Sequence, residues 1–387
     1  MKKKVFAVLL GTAVAASVLA GCGSSSENAQ TTAAQTEAAA ETAAEETSAS
    51  ETTEAASEAA DKTTEAAEAG EVSQRTVYVT PEWVKSVLDG EQADYQDAVI
   101  AEVAYGAASD CESYQSGHIQ GAQYIDICEV EDATGSEEGA YNLLPAEEVE
   151  ANILSHGITK DTPVILYGGD VCGVARVAYA YIWAGVEDVK ILNGGLSAWT
   201  SAGYDTETGA PEQIAAEEFG TTVPAHPEYW TSIEDAKDKL VNDDNFKLVS
   251  IRSEAEWLGE TSGYSYMDKA GEPEGAVWGK GAETAFDVKG FLNDDGTVKD
   301  LAGFEEVWAD CDFTLDNDLA FYCGTGWRAC VPFLVLYENG YDNISVYDGG
   351  WYQWLMDDSN PVQVGDPASA DCIHTTVGEL PTGKAAK

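Results

Sequence analysis

The sequence is poor in basic residues. Its 387 residues include 20 lysines and arginines and 4 histidines against 69 aspartates and glutamates, so the formal net charge is −49. A surface of this sign repels nucleic acid and anionic lipid headgroups, and we therefore expect no nucleic-acid partner. It also does not attract anions over long distances, so any site for an anionic substrate has to be built from local groups.

Metal-binding patterns and a membrane-spanning run are missing as well. The 8 cysteines form no Cys-x-x-Cys pair and the 4 histidines form no cluster, so the sequence predicts no metal site. The apolar run over residues 5–20 follows three lysines and is too short for a spanning helix. This combination is typical of a secretory signal.

The signal ends in Leu19-Ala20-Gly21-Cys22, which is similar to a bacterial lipobox. The similarity implies that residues 1–21 are removed and that Cys22 carries lipid, with an ordinary signal peptide as the alternative. Two acyl chains are enough for stable anchoring. We therefore expect an extracytoplasmic protein of the cell envelope, attached to the membrane through the lipid on Cys22.

Residues 22–75 differ in composition from the rest of the chain. They are mostly Ser, Ala, Thr and Glu, without an aromatic residue. Such a stretch buries too little apolar surface to offset the entropy lost on ordering, which predicts a disordered tether. An Ala/Glu-rich helix is the alternative, but the many Ser and Thr residues argue against it.

An internal repeat organises the remaining residues. Tyr167-Gly168-Gly169 recurs as Tyr322-Cys323-Gly324, and other motifs recur at nearly the same spacing. The repeat predicts two domains, one over 76–210 and one over 226–366, with a Pro- and Glu-rich linker between them. A tail over 367–387 follows the second domain.

Each repeat alternates predicted strands and helices. In the first repeat we expect strands over 98–103, 163–167 and 189–192, and helices over 146–156 and 175–184. This alternation predicts an α/β fold in which a parallel sheet is flanked by helices. Ligands of such sheets bind beyond the carboxyl ends of the strands.

One cysteine of the second repeat falls at such a strand end. Residues 318–322 are short, apolar and aromatic, which predicts a buried strand. The apolar run over 330–337 predicts a helix, in which Pro332 is expected to occupy the first turn. Cys323 lies between them, in a loop that leads from the strand to the start of the helix.

The glycines of this loop favour a reactive thiol. Gly324 and Gly326 let backbone N–H groups turn inward around one point, and the helix dipole adds positive potential there. A thiol at that point is expected to exist largely as thiolate. A buried structural cysteine is the alternative.

Three motifs resemble those of the rhodanese sulfurtransferase family in its tandem two-domain form. Cys323-Gly324-Thr325-Gly326-Trp327-Arg328 is similar to the family's six-residue active-site loop. Residues 348–354 are similar to its downstream signature and residues 117–122 to its upstream one. The resemblance implies two tandem rhodanese-like domains. The first would be catalytically silent, because Gly168 stands where the second domain has Cys323.

The resemblance also implies a two-step sulfur transfer without a metal or organic cofactor. Cys323 would take the outer sulfur of a small anionic donor such as thiosulfate, and cyanide or a thiol would accept it from the persulfide. Gly-Thr-Gly after the cysteine is similar to the 3-mercaptopyruvate branch, so that donor is the alternative. A non-catalytic binding protein and a phosphatase are further alternatives, although a phosphatase would need Cys-x5-Arg rather than Cys-x4-Arg.

Arginines near the loop are the expected substrate contacts. Arg328 is the local cation, and Arg252 matches the arginine of the family's Asp-x-Arg strand end, with Ser250 replacing the acid. For both, an ion pair or a brace is the alternative role. Trp327 and Trp351 are candidate walls of the pocket, with a place in the hydrophobic core as the alternative, since aromatic residues are more often part of the core. The implied substrate-binding set is Arg252, Arg328, Gly324, Thr325, Gly326 and Trp327.

The other cysteines allow further chemistry. Cys172 is a displaced candidate nucleophile whose pKa Asp170 should raise. Cys330 is a candidate to resolve a persulfide on Cys323, if the fold places the two thiols near each other. Outside the cytoplasm, up to three disulfides can form beside a free Cys323. The cysteines available, apart from Cys22, are Cys111, Cys128, Cys172, Cys311, Cys323, Cys330 and Cys372.

Overall fold

A computed structural model describes residues 75–136 and 139–386, which all belong to one compact unit. The predicted signal, the predicted lipidation site Cys22 and nearly all of the predicted tether lie outside these ranges. Within them, no helix combines the length and the apolar character needed to cross a membrane.

The first half of the described chain forms a five-stranded sheet with flanking helices. Its strands are β1 Tyr78–Val79, β2 Val99–Ala104, β3 Gln123–Asp126, β4 Val164–Tyr167 and β5 Val189–Leu192. Its helices are α1 Pro81–Leu88, α2 Glu112–Ser116, α3 Ala146–Ser155, α4 Val171–Ala184 and α5 Gly195–Ser201. All strand pairs are parallel, in the order β1-β5-β4-β2-β3. The predicted α/β class and parallel sheet are confirmed.

Helix α4 begins four residues before the predicted start. The side chain of Asp170 accepts a hydrogen bond from the N–H of Cys172 at 2.9 Å and so caps the first turn. Because this cap satisfies a donor that the helix itself leaves unpaired, the helix extends back to Val171.

The second half repeats the arrangement. Its strands and helices, in chain order, are β6 Trp230–Thr231, α6 Ile233–Asn242, β7 Phe246–Ser250, α7 Glu254–Trp257, β8 Glu272–Pro273, β9 Val277–Trp278, α8 Leu301–Trp308, β10 Asp318–Tyr322, α9 Trp327–Glu338, β11 Ile344–Tyr347, α10 Gly350–Trp354, β12 Pro361–Val364 and β13 Ile373–Thr376. The parallel order β6-β11-β10-β7-β9 matches that of the first sheet. The predicted pair of sheets is therefore present.

The segment assigned to a tail takes part in the fold. Strand β13 pairs antiparallel with β12, which in turn pairs with β8, so these three strands form a small separate sheet. Residues beyond β13 also contact the second half, since the N–H of Ser262 donates to the carbonyl oxygen of Lys384 at 2.8 Å.

The two halves share one hydrophobic core. Helices α4 and α9 are buried along almost their whole length, and one apolar cluster contains residues of both. The rings of Tyr179 and Phe333, one from each helix, meet edge to face with centroids 5.0 Å apart. This packing brings the loops that precede the two helices to the same side of the molecule.

The expectation for Pro332 was wrong. Helix α9 begins at Trp327, so Pro332 lies inside the helix rather than in its first turn. Proline there removes one backbone hydrogen bond, normally an unfavourable change. Packing, more than intrinsic propensity, stabilises helices in proteins, and α9 is buried from Arg328 to Leu336.

Candidate active site

Cys323 directly follows β10 at the carboxyl edge of the second sheet, as predicted from the strand-loop-helix pattern. Its side chain is 1% exposed and lines a cavity of about 370 Å³. The loop ends at Gly326, whose φ of 91° is left-handed and favours glycine. A Cβ at Gly326 would also come within 2.8 Å of the Asp348 carbonyl oxygen.

The cysteine loop leaves backbone donors free. Among the described residues, no hydrogen bond to another protein group uses the N–H of Gly324, Thr325 or Gly326. Thr325 and Trp327 line the cavity. Gly324 does not line it, but a Cβ there would collide with the ring of Tyr264, so the glycine permits this close packing. Of the three residues with an unbonded N–H only Thr325 lines the cavity, and the three N–H groups, which directly follow Cys323 in the chain, are the candidate donors for an anion formed there.

Aromatic side chains from both halves surround the cavity. Two of them, Tyr105 and Phe286, are mostly exposed, at 63% and 74%. The rings of Tyr264 and Phe286 meet edge to face, with centroids 5.5 Å apart. The aromatic residues of the lining are Tyr105, Tyr141, Tyr264, Tyr266, Phe286 and Trp327. Trp351 is fully buried and is not among the lining residues, so of its two candidate roles the structure favours a place in the core.

Arg328 lines the cavity, but most of its guanidinium is already bound. Nη1 and Nη2 donate to the two carboxylate oxygens of Glu256 at 2.9 and 3.0 Å, and Nη2 also donates to the Tyr264 hydroxyl at 3.2 Å. Its Nε is buried and has no partner within the part of the chain that the structure describes. This one N–H is therefore unpaired but not exposed, so a ligand reaches it only if Arg328 or its neighbours shift.

Arg252 does not reach the cavity. It is fully buried, and its donors bind Glu256, Glu272 and the carbonyl oxygens of Gly271 and Ser262 at 2.7–3.2 Å. The expectation that Arg252 contacts the donor is therefore wrong, and the alternative role as a brace fits. In the family's Asp-x-Arg pattern an acid stands two residues before the arginine, but Ser250 occupies that position here. A carboxylate that pairs with Arg252 comes instead from Glu272, in strand β8.

Glu256 joins the two arginines. Burial alone would raise the pKa of this carboxyl, but the guanidinium groups of Arg328 and Arg252 lower it to about 2. The carboxylate also accepts from the N–H of Ser253 at 3.0 Å in a capping box at the start of α7. Sequence analysis missed this residue, although Ser253-x-x-Glu256 is a recognisable capping-box pattern.

Two carboxylates of the first half also face the cavity. Glu131 and Asp170 line it beside Cys323. Arg328 is paired to Glu256 and Glu131 to the buried Arg176, whereas Asp170 has no cationic partner among the described residues. Glu131 was missed because nothing in its local sequence indicates that it meets the loop of the other half. Among residues 75–136 and 139–386, no cluster of His, Cys, Asp or Glu is suited to a metal ion.

The remaining cysteines are free thiols throughout the described ranges, so the predicted disulfides are absent. Cys172 lines the cavity, and burial followed by the Asp170 carboxylate raises its pKa well above the usual range, as expected. Cys330 is fully buried and its Sγ donates to the Gly326 carbonyl oxygen at 3.4 Å. The α4–α9 contact encloses Cys172 and Cys330 among apolar side chains instead of pairing them.

Comparison with known proteins gives consistent matches. A family model described as a rhodanese-like domain matches residues 80–202 and 232–357. The chain is 40% identical to the thiosulfate sulfurtransferase YnjE of Escherichia coli K12 over 292 aligned residues. The aligned region covers 74% of this chain and 65% of that protein. This chain therefore spans less than two thirds of the length of that relative.

Two solved structures superpose on about three quarters of this chain. The crystal structure of YnjE superposes with a TM-score of 0.69 over 75% of this chain and 68% of that one. A structure of the anaerobic ergothioneine biosynthesis enzyme from Chlorobium limicola, in complex with its natural substrate trimethyl histidine, superposes with a TM-score of 0.70 at 33% identity. That match covers 76% of this chain and 72% of the other.

Proposed function

This chain belongs to the rhodanese family, and on that basis we propose that it is a sulfurtransferase in which Cys323 carries the transferred sulfur as a persulfide. The observation that supports this most is the position of Cys323, at a strand end, facing a cavity, beside three unbonded backbone N–H groups. Relatives named as thiosulfate sulfurtransferases support the same reaction.

The proposed reaction has two steps. The Cys323 thiolate attacks the outer sulfur of thiosulfate, the S–S bond of the donor breaks, and sulfite leaves with the electron pair. A thiol or cyanide then attacks the outer sulfur of the persulfide, and Cys323 returns to the thiolate. The free N–H groups of the loop and the Nε of Arg328 would stabilise the negative charge on the persulfide.

Thiosulfate is the proposed donor, with 3-mercaptopyruvate as the alternative. The names of the relatives favour thiosulfate, whereas the Gly324-Thr325-Gly326 sequence favours the other branch. The carboxylates of Glu131 and Asp170 repel a dianion, so the contact to Arg328 has to outweigh them. Binding of either anionic donor therefore depends on the attraction of this one arginine.

Arg328→Lys is expected to lower kcat/KM for thiosulfate. Lysine keeps the charge but lacks Nε and the planar fork that holds Glu256. Loss of a charge-assisted hydrogen bond costs about 1.5–3 kcal/mol, roughly a ten- to hundredfold fall. The measurement is thiocyanate formation from cyanide with each donor. Lys289→Met, which removes an exposed positive charge from the same half, is the control.

Two outcomes would change this account. If Arg328→Lys stays folded and keeps the kcat/KM of the wild type, Arg328 does not bind the donor. If 3-mercaptopyruvate is used far better than thiosulfate, the donor belongs to the alternative branch.

The aromatic lining favours a second candidate acceptor. Aromatic faces together with the carboxylates of Glu131 and Asp170 form a favourable environment for an organic cation. The Chlorobium limicola enzyme binds trimethyl histidine as its natural substrate. As a second candidate, this chain would transfer sulfur to a trimethylated, positively charged histidine. The same assay with this acceptor, in which a product heavier by one sulfur atom is sought by mass spectrometry, tests the candidate.

We also propose that lipid on Cys22 holds the protein at the outer face of a membrane in the cell envelope. Residues 1–74 lie outside the described part of the chain, so the support is the sequence alone: lysines, an apolar run and a lipobox-like end. In a bacterial host that is fed a labelled fatty acid, label is expected in the wild type and not in Cys22→Ser. Equal labelling of both would contradict the proposal.

A further inference from the structure

One carboxylate of the cavity comes from the half of the chain that lacks the catalytic cysteine. Glu131 is 3% exposed and lines the cavity together with Cys323. Its Oε2 accepts hydrogen bonds from Trp327 Nε1 at 2.7 Å and from Arg176 Nε at 3.0 Å. Among the described residues no hydrogen bond reaches its other oxygen, Oε1. The protein thus fixes one oxygen and leaves the other for a molecule in the cavity.

The surroundings of Glu131 make it a weaker acid than an ordinary glutamate. Arg176, fully buried, is paired both with Glu131 and with Asp348, so one positive charge is shared by two carboxylates. Burial raises the pKa of Glu131 to about 7, although Arg176 and Trp327 act to lower it. The titratable and charged groups that face it are Arg176, Asp348, Asp170, Arg328, Cys128, Tyr105 and Tyr141.

A thiol acceptor carries a proton that has to be removed, whereas cyanide ion does not. A neutral thiol is a poor nucleophile and has to lose its proton before it attacks the persulfide. Among the described residues no histidine lines the cavity, and the other lining carboxylate, Asp170, is exposed to solvent and caps α4 through the N–H of Cys172. Glu131 therefore has the free oxygen and the position to remove that proton.

Resting on the proposed sulfurtransferase activity, we propose that Glu131 is the general base for a thiol acceptor. Oε1 takes the proton of the acceptor S–H, and the resulting thiolate forms a bond to the outer sulfur of the Cys323 persulfide. The S–S bond at Cys323 breaks and its electron pair stays on Cys323 as the thiolate. The acceptor leaves as a persulfide, and Glu131 later gives its proton to solvent.

This role explains why the carboxylate is supplied from the silent half. A base is most effective when its pKa lies near the working pH and it lies within reach of the proton. The loop of Cys323 contributes backbone donors and Arg328, which stabilise negative charge but do not accept a proton. The hydrogen bond from Trp327 ties the base of one half directly to the loop of the other.

Two acceptors separate the proposed role from a structural one. 2-Mercaptoethanol is largely protonated at neutral pH, whereas 4-nitrothiophenol is largely ionised and needs no base. General bases contribute about 10²–10⁴-fold, so Glu131→Gln is expected to lower kcat/KM for 2-mercaptoethanol at least a hundredfold. The loss should exceed that for 4-nitrothiophenol about tenfold or more. Glu148→Gln, an exposed residue of α3, is the charge-matched control.

Equal losses with the two acceptors would overturn the proposal, because Glu131 would then only position Trp327. If Glu131→Gln does not fold, the pH dependence of the wild type tests the proposal instead. The wild type's ratio of kcat/KM for 2-mercaptoethanol to that for 4-nitrothiophenol should rise with pH up to about 7 and then level off, because Glu131 is fully ionised above that pH. A ratio that goes on rising about tenfold per pH unit above 7, as ionisation of the thiol in solution alone would give, would overturn the proposal. Mass spectrometry after thiosulfate alone checks persulfide formation. A wild type that forms none would instead refute the sulfurtransferase activity itself.

Discussion

Replacing Cys323 with serine is expected to abolish sulfur transfer. The sulfur of Cys323 is the atom that would bond to the transferred sulfur, and a serine hydroxyl is neither ionised at neutral pH nor able to hold a sulfane sulfur. Loss of a covalent nucleophile typically lowers kcat by about a thousandfold or more. The measurements are thiocyanate formation from thiosulfate and cyanide, and the intact mass after thiosulfate alone. The wild type should gain the mass of one sulfur atom and the variant none.

Cys172→Ser is the matched control, because this thiol lines the same cavity. Burial and the Asp170 carboxylate raise the pKa of Cys172, which keeps it protonated and unreactive. Its replacement should therefore change kcat/KM by no more than about threefold. Full activity in Cys323→Ser combined with loss in Cys172→Ser would transfer the role of nucleophile to the first half of the chain.

Glu256→Ala is expected to be the most destabilising single substitution near the site. Its carboxylate pairs with Arg252 and Arg328, all three groups being buried. Removing one partner of a buried ion pair leaves uncompensated charge and costs about 3–5 kcal/mol. The free energy of unfolding, measured with denaturant, checks this. Glu254→Ala, an exposed residue of the same short helix, is the control and should cost far less.

The same ion pairs predict a dependence on acid. The folded pKa of Glu256, about 2, lies below its ordinary value of 4.5. Its contribution to stability is therefore complete above about pH 4.5 and is lost as the pH falls towards 2, a change of about 3 kcal/mol. The difference in unfolding free energy between the wild type and Glu256→Gln should shrink over this range. A difference that stays constant down to pH 2 would contradict the pairing.

Local patterns in the sequence were enough to predict the elements that carry the site. The strand over 318–322, the loop at Cys323 and the following helix depend on neighbouring residues: apolar runs, glycines and a helix end at Asn339. The repeat predicted two matching sheets, since equivalent patterns fold into equivalent elements. Where a prediction erred locally, as at Pro332, burial of the whole helix outweighed a local preference.

Only the tertiary structure determined which side chains surround Cys323. Arg252 and Arg328 both looked available for an anion, but Glu256 holds them: it lies four residues after Arg252, and it meets Arg328 across 72 residues of sequence in the folded chain. Glu131 meets Trp327 across 196 residues of sequence. The contact between Glu131 and Trp327 depends on the packing of the first half against the second, and a sequence motif, which records only neighbours along the chain, does not contain it.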